Sequence, residues 1–514
     1  MQRVLHITGV GEWQADLLGK AAVLRGVVLA ILVCGNALFA SGQIYFDNLY
    51  QYDDRVEGIS TDGTVKLSDG YVSWVYTSPV AESYGNIGLL LTDFTGNMVG
   101  SYELPLVDTI RERGRNIIAL DDTTLIALSF EQILTATTPG DMVLRKLNRY
   151  GVVDWKQTYG SPGQLDVAQR LSLTNDGGFI MAGQITIEGQ NGQEADGWLV
   201  KADANGNQQW EQTYGGSDYD AISDVKETPD GGFLLLGWTR SFGAGQKEWY
   251  LVKTDAQGNE EWSETYGDSN NQSGASIVES PNGSYVLVGG GGQGNARIIR
   301  IDASGNVIWQ ETYAHPEGSG SNYLFDCLVR PDSTIVAVGG SNNSGDGDAG
   351  WLIKTDSDGN LLWQRKYNKN QYTDLFYSLL ETDDGGFLLS GQAINEQTNS
   401  QDAWLLKVDS VGCTFPNCIT GIDQAEKTIV VDVWPNPATD VLNIEKVSSS
   451  KQLDISVFDL SGRSVPLSKG VAGTAQLSRQ GIHTFDVSHW KSGIYVLQGI
   501  DEEGRSFSLK VVKQ

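Results

Sequence analysis

Three observations predict the fold class. A unit of about fifty residues repeats along the chain, each copy has room for four short strands, and a C-terminal stretch follows with a different alternating pattern. Together they predict an all-β protein, a seven-bladed β-propeller followed by a small Ig-like β-sandwich. The expected organisation is a signal peptide over 1–42, the propeller over 43–413, a linker over 414–430 and a separate C-terminal domain over 431–514.

Composition fits that class. The 514 residues include 62 Gly, 14 Trp and 20 Tyr, a mixture suited to tight turns and aromatic packing between sheets. The formal charge of −28 repels phosphate backbones and anionic headgroups, so nucleic acid and membrane-surface partners are not expected.

At the N-terminus, Lys20 and Arg25 precede an apolar run from Val27 to Ala40, the length of a signal-peptide core and too short to span a bilayer. Ala40-Ser41-Gly42 before Gln43 reads as its cleavage site, and no transmembrane segment is expected after cleavage. Cys413 and Cys418 are placed to close a small disulfide loop in an oxidising compartment, whereas Cys327 lies in an apolar strand as a small buried side chain.

Two marks define the repeat. The first is Asp-x-x-Gly-Asn followed by Trp and, four residues later, Tyr, clearest from Asp203 to Tyr214 and from Asp255 to Tyr266. The second is Asp-Gly-Gly-Phe, at Asp176, Asp230 and Asp384, with degenerate versions starting at Asp69, Asp122, Asn282 and Asp332. Both supply turn chemistry: an Asp that bonds its own backbone and a Gly free to take positive φ. Phe46 and Tyr50 repeat the spacing of Trp210 and Tyr214 without a blade before them, and the last unit stops after three strands. An N-terminal strand completing the last blade resolves both irregularities and removes two sheet edges.

From Trp434 the pattern changes. Pro435-Asn436-Pro437-Ala438-Thr439-Asp440 opens it, Phe458-Asp459-Leu460-Ser461-Gly462-Arg463 makes a turn, Ser492-Gly493-Ile494-Tyr495 starts a strand, and Lys510-Val511-Val512-Lys513-Gln514 ends the chain. These four ordered motifs resemble the type A (Por) C-terminal sorting domain of type IX secretion cargo proteins of Bacteroidetes. The resemblance covers about Val431 to Gln514. It implies the type IX machinery and its sortase as partners, export through the periplasm, and a secreted or cell-surface location.

Chemistry is sparse in the propeller. His315 is its one histidine, and no metalloprotease helix, nucleophile elbow or phosphate-cradling loop occurs. No catalytic residue is assigned and no cofactor is evident. Calcium is a candidate at loops such as 342–348, which carry side-chain oxygens without a complete spaced ligand set. The recurring Trp residues read as packing between sheets, while Trp238, outside the repeat, is a ligand-stacking candidate. Ten residues before successive turn marks stand Glu112, Asp166, Asp220, Gln272, Asn322 and Asp374. They either ring one mouth of the channel as a polar funnel or cap a tight turn in every blade. The functional expectation is a binding module for polysaccharide or a surface protein; the alternatives are a polysaccharide-degrading enzyme with two loop carboxylates, and a structural scaffold.

Overall fold

The computed structural model describes residues 43–415, less 51–54, 80–85, 106–109, 134–139, 161–164, 190–191, 245, 268–269, 292–293, 316–319, 344–346, 370–372 and 396–399. It also describes 431–514, less 447–452, 460–464, 466–481 and 502–505. The signal segment, Cys418 and Gly462 therefore lie outside the described residues, as do parts of the 342–348 loop. Every helix or strand among the described residues is a strand.

Between Arg55 and Tyr313, five sheets hold four strands each, every strand pairing with the next in antiparallel order. An eight-stranded sheet follows, joined internally by one parallel bridge from Asp348 to Thr373. Either side of that bridge lies a four-stranded unit. The second runs from Thr373 to Val408 and takes Phe46–Tyr50 as its outer strand, with Phe46 opposite Lys407 and Tyr50 opposite Ala403. These units are numbered as blades 1–7 in chain order. Their inner strands are Arg55–Lys66, Ile110–Ala119, Val167–Leu173, Asp220–Glu227, Ser273–Glu279, Asn322–Val329 and Thr373–Glu381. Each inner strand packs against the next and the last packs against the first, so they surround a common axis as in a β-propeller.

The two sequence marks have separate mechanical roles. In the Asp-x-x-Gly-Asn turn, Asp203 Oδ1 accepts from the backbone amides of Asn205 and Asn207, and Oδ2 accepts from the Asn207 side chain. Asp255, Asp302 and Asp356 repeat the pattern. Glycine at the fourth position takes φ near +80°, a conformation that costs residues with a Cβ.

The outer strand of the preceding blade then grips that turn. Tyr214 Oη donates to the Gly258 carbonyl at 2.7 Å, and a Cβ on Gly258 would lie 2.7 Å from the Trp210 ring. Tyr159, Tyr266, Tyr313 and Tyr367 hold Gly206, Gly305, Gly359 and Gly412 in the same way. The N-terminal strand supplies the grip for blade 1, with Tyr50 bonding the Gly96 carbonyl and Phe46 beneath it. Between blades 1 and 2 the device is absent: Gly100 and Leu104 stand where the Trp and Tyr would be. There Tyr102 packs edge-on to Tyr150, and Arg149 pairs with Asp69.

A second tryptophan series, Trp198, Trp249, Trp351 and Trp404, sits in the third strands and is essentially inaccessible to solvent. Trp198 shares a cluster with Ile126, Leu128 and Met142 of the preceding blade, so it packs sheet against sheet. Cys327 is buried, and burial raises its thiol pKa well above the ordinary value. Cys413 is disulfide-bonded, next to the end of the last propeller strand.

The C-terminal residues form two three-stranded sheets. One holds Val431–Trp434, Val441–Lys446 and Ile482–Asp486; the other holds Leu453–Asp459, Gly493–Asp501 and Ser506–Lys513. Leu442, Ile444 and Phe485 from the first meet Val457, Leu497 and Val511 from the second in one apolar core.

Candidate functional site: the axial cavity

Every inner strand carries a register break against its neighbour, and the residue after each break is polar. In blade order these residues are Thr64, Asn116, Arg170, Asp224, Ser276, Asp326 and Ser378, and all are buried. A bulge bends its strand and re-aims the side chain, which accounts for polar groups in otherwise apolar strands.

Four of them form one hydrogen-bonded cluster. Arg170 donates from Nε to Asp224 Oδ1 at 2.8 Å, and from Nη2 to Asp224 Oδ2 and Ser276 Oγ at 3.0 Å each. Ser276 Oγ also lies 3.3 Å from Asp326 Oδ1. The carboxylates reach across blade boundaries: Asp224 accepts from the Ile277 amide and Asp326 from the Leu379 amide, both at 2.8 Å. Burial works against ionisation of Asp224, but Arg170, Lys226 and the Ile277 amide together outweigh it and hold the pKa below the usual range. For Asp326 burial prevails over the weaker influence of Arg170, and the pKa is raised.

Through Arg170 and Asp326 this cluster floors a cavity of 640 Å³ on the axis, lined by residues of all seven inner strands. The cavity extends to the turn-side ends of those strands, where Asn175, Thr228 and Pro229 contribute. Its lining is two-sided. Blades 7, 1, 2 and 3 supply aliphatic groups, including Leu380, Val65, Ile118 and Leu173; the charges of Arg170, Lys226, Glu227, Glu279 and Asp326 come from blades 3–6.

The six polar residues singled out in the sequence stand at or beside the other ends of the inner strands, Trp238 lies in the second strand of blade 4, and none of the seven lines this cavity. Asp220 is fully buried: Oδ2 accepts from the Gly216 amide at 2.8 Å and the Ser241 hydroxyl at 2.6 Å, and Oδ1 from the Arg240 amide at 3.1 Å. Asp166 accepts from the Thr186 amide, Asp374 from the Lys369 amide, and the Asn322 amide group donates to the Gly294 carbonyl. His315 is buried and donates its backbone amide to Asn322. The Gln272 backbone amide donates to the Lys247 carbonyl. Glu112 pairs with Arg145 and accepts from Ser129, and burial raises its pKa. Trp238 is half-buried, and the Lys247 ammonium lies 4.0 Å from its ring centre, over the face a ligand would stack on. Burial, then Arg240, lowers the Lys247 pKa to about 8.

Two carboxylate pairs stand among these loops. A Cβ at Gly215 would lie 2.3 Å from Asp196 Oδ1 and 2.5 Å from Asp220 Oδ2, so only glycine lets both carboxylates approach there. Burial, then Asp220 and Glu194, raises the Asp196 pKa to about 6. Gly160 has the same relation to Asp141 and Asp166. Among the described residues no group of three or more His, Cys, Asp or Glu side chains is arranged to hold a metal ion.

In the C-terminal sandwich, Asn436 explains the opening motif. Its side-chain amide donates to the Lys510 carbonyl and its oxygen accepts from the Val512 amide, both at 2.9 Å, tying Pro435-Asn436-Pro437 to the last strand. Lys513 ends that strand, on which Lys510 also lies, and is largely buried. Gly493 begins the adjacent strand, while Tyr495 donates to the Lys491 carbonyl at 2.8 Å and packs on Trp490.

Comparison with known proteins separates the two regions. No curated protein matches the chain's sequence. Among solved structures, a fungal alcohol oxidase of the AA5 family, in complex with copper, is 14% identical, with 91% of this chain and 99% of that one covered and a TM-score of 0.43. A PL25 polysaccharide lyase, an ulvan lyase bound to -[GlcA(1-4)Rha3S]-, is 9% identical over 71% and 96% at 0.45. A lectin from Burkholderia pseudomallei is 8% identical over 64% and 100% at 0.38. The C-terminal match is of another kind, since residues 432–514 fit the family model of the secretion system C-terminal sorting domain. That domain, tied together by the motifs read in the sequence, makes the chain a type IX secretion cargo protein bearing a β-propeller.

Proposed function

We propose that the propeller is an extracellular binding module that recognises a polysaccharide or a surface protein through its axial cavity. The observation carrying this reading is the 640 Å³ space lined by every blade above a hydrogen-bonded floor. A site shared by seven blades is rigid because each blade is held by its neighbours, and preorganisation reduces the entropic cost of binding. On this reading the leader is cleaved before Gln43, the type IX sortase removes the sorting domain, and the propeller remains at the surface or is released. The buried polar residues at the strand starts act by fixing the loops around the opposite mouth.

The test uses the chain from Gln43 onward against a panel of microbial and plant polysaccharides and surface-protein extracts, with pull-down and release of new sugar ends read together. Retention that is lost when Leu173, a lining residue exposed at 51%, is changed to Asp supports the cavity reading. Retention unaffected by that change removes it.

A second reading, an enzyme acting on polysaccharide, draws support from Asp196 beside Asp220. A carboxyl with a pKa of about 6 is suited to general acid work near neutral pH. It requires release of sugar ends that Asp196→Asn abolishes, with a pH–rate limb near the Asp196 pKa. Release without that dependence excludes the pair as its source.

A further inference from the structure

The chemistry of the cavity wall narrows the ligand, if the cavity is accepted as the binding site proposed above. We infer that it takes a protein segment carrying an aliphatic side chain next to a basic one, in preference to a sugar.

Three features of the lining point this way. First, none of the lining residues among those described is aromatic. A pyranose ring exposes a flat C–H face that is ordinarily packed on an aromatic plane, and this wall offers branched aliphatic groups instead. Second, the aliphatic groups form one arc, from blade 7 through blades 1 and 2 to Leu173 of blade 3, so they fit a compact apolar side chain rather than a ring edged with hydroxyls. Third, the facing wall has an acidic balance. Glu227 and Glu279 stand at the turn-side ends of their strands, while Arg170 is paired with Asp224, leaving Lys226 to set against them. A Lys or Arg side chain inserted between Glu227 and Glu279 would be drawn by both carboxylates, and the chain's charge of −28 attracts a basic partner from a distance.

The volume also fits. A cavity of 640 Å³ accommodates two or three side chains of a short extended segment and lies within the range of ordinary ligand sites.

The experiment is a positional-scanning hexapeptide library, together with neutral and acidic hexasaccharides, applied to the chain from Gln43 onward and read by fluorescence anisotropy. Enrichment of Lys or Arg beside Leu, Ile or Val is expected. The double change Glu227→Gln and Glu279→Gln should weaken the best peptide about tenfold, as for removal of close interfacial charges. Leu173→Asp should also weaken it, and circular dichroism with a melting curve shows whether each variant is folded. Equal preference for acidic and basic peptides overturns the inference, as does a best peptide indifferent to the double change. A hexasaccharide that binds in a Leu173-dependent way, without peptide binding, overturns the ligand class and keeps the cavity. If no probe binds in a Leu173-dependent way, the cavity reading falls with it.

Discussion

Removing the Arg170 guanidinium would leave Asp224 inside the axis with its charge uncompensated. A broken buried pair costs about 3–5 kcal/mol, more than replacing both partners would, because the remaining ion has lost its compensation. Arg170→Met is therefore expected to lower the midpoint of denaturant unfolding substantially, and Arg170→Met with Asp224→Leu to recover part of the loss; equilibrium unfolding measures both. The pH dependence follows from the direction of each shift. Asp224 has a lowered folded pKa, so its contribution is present above the unfolded carboxylate value and is lost as pH falls through the folded one. Asp93, Asp176 and Asp230 in the turns, each lowered to about 2, act in the same sense, although their exposure to solvent keeps each effect small. Asp326, raised by burial, acts oppositely and favours the fold at low pH, as do Glu112 and Asp196. With Asp224 and the turn carboxylates, Asp203, Asp255, Asp302 and Asp356 among them, outnumbering these three, melting temperatures should fall steadily below about pH 4, and a flat profile from pH 5 to pH 2 would contradict this assignment.

At the scale of the element, the unit of design is a turn and the strand that grips it. Tyr214→Phe deletes the hydroxyl that satisfies the Gly258 carbonyl and should cost about 1 kcal/mol. Gly258→Ala should cost more, since it adds a Cβ at φ +79° against the Trp210 ring. Thermal unfolding of the two variants should preserve that order. These parts were legible in the sequence because turn and grip draw on the same residue types in most blades: Asp for the amides, Gly for positive φ, Trp and Tyr for the clasp. The cavity was not legible for the opposite reason. Its floor stands six residues before the turn marks at Asp176, Asp230, Asn282 and Asp332, as regularly as the Asp220 series stands ten before. But its identities change from blade to blade, and a bulge that turns them inward leaves no mark of its own in the sequence. Recurring identity reported scaffolding; recurring position with changing identity would have led to the floor.

Over the whole molecule, the strands and the C-terminal sandwich follow from alternation and turn chemistry, and the placement of Phe46–Tyr50 in the last blade follows from one missing strand at each end of the repeat. What sequence could not supply is the sidedness of the axis. Which strand ends flank an open space depends on how seven inner strands converge, and no single repeat contains that information. The asymmetry of the lining is likewise a property of the assembled ring.

The clasp between neighbouring blades has a direction, for at every junction but that of blades 1 and 2 a blade holds the one after it. Contacts of that head-to-tail kind have only two outcomes, a closed cycle or an open-ended polymer. The strand Phe46–Tyr50 decides between them here, because it both covers the edge of Ser400–Val408 and clasps the turn at Gly96. A chain beginning after Tyr50 would carry an uncovered edge on blade 7 and an unclasped turn on blade 1, complementary surfaces on one molecule. Sedimentation of that truncated chain is expected to show a concentration-dependent series of oligomers larger than any the intact chain forms, and a truncation that sediments like the intact chain would mean that the inner strands alone suffice to close the cycle.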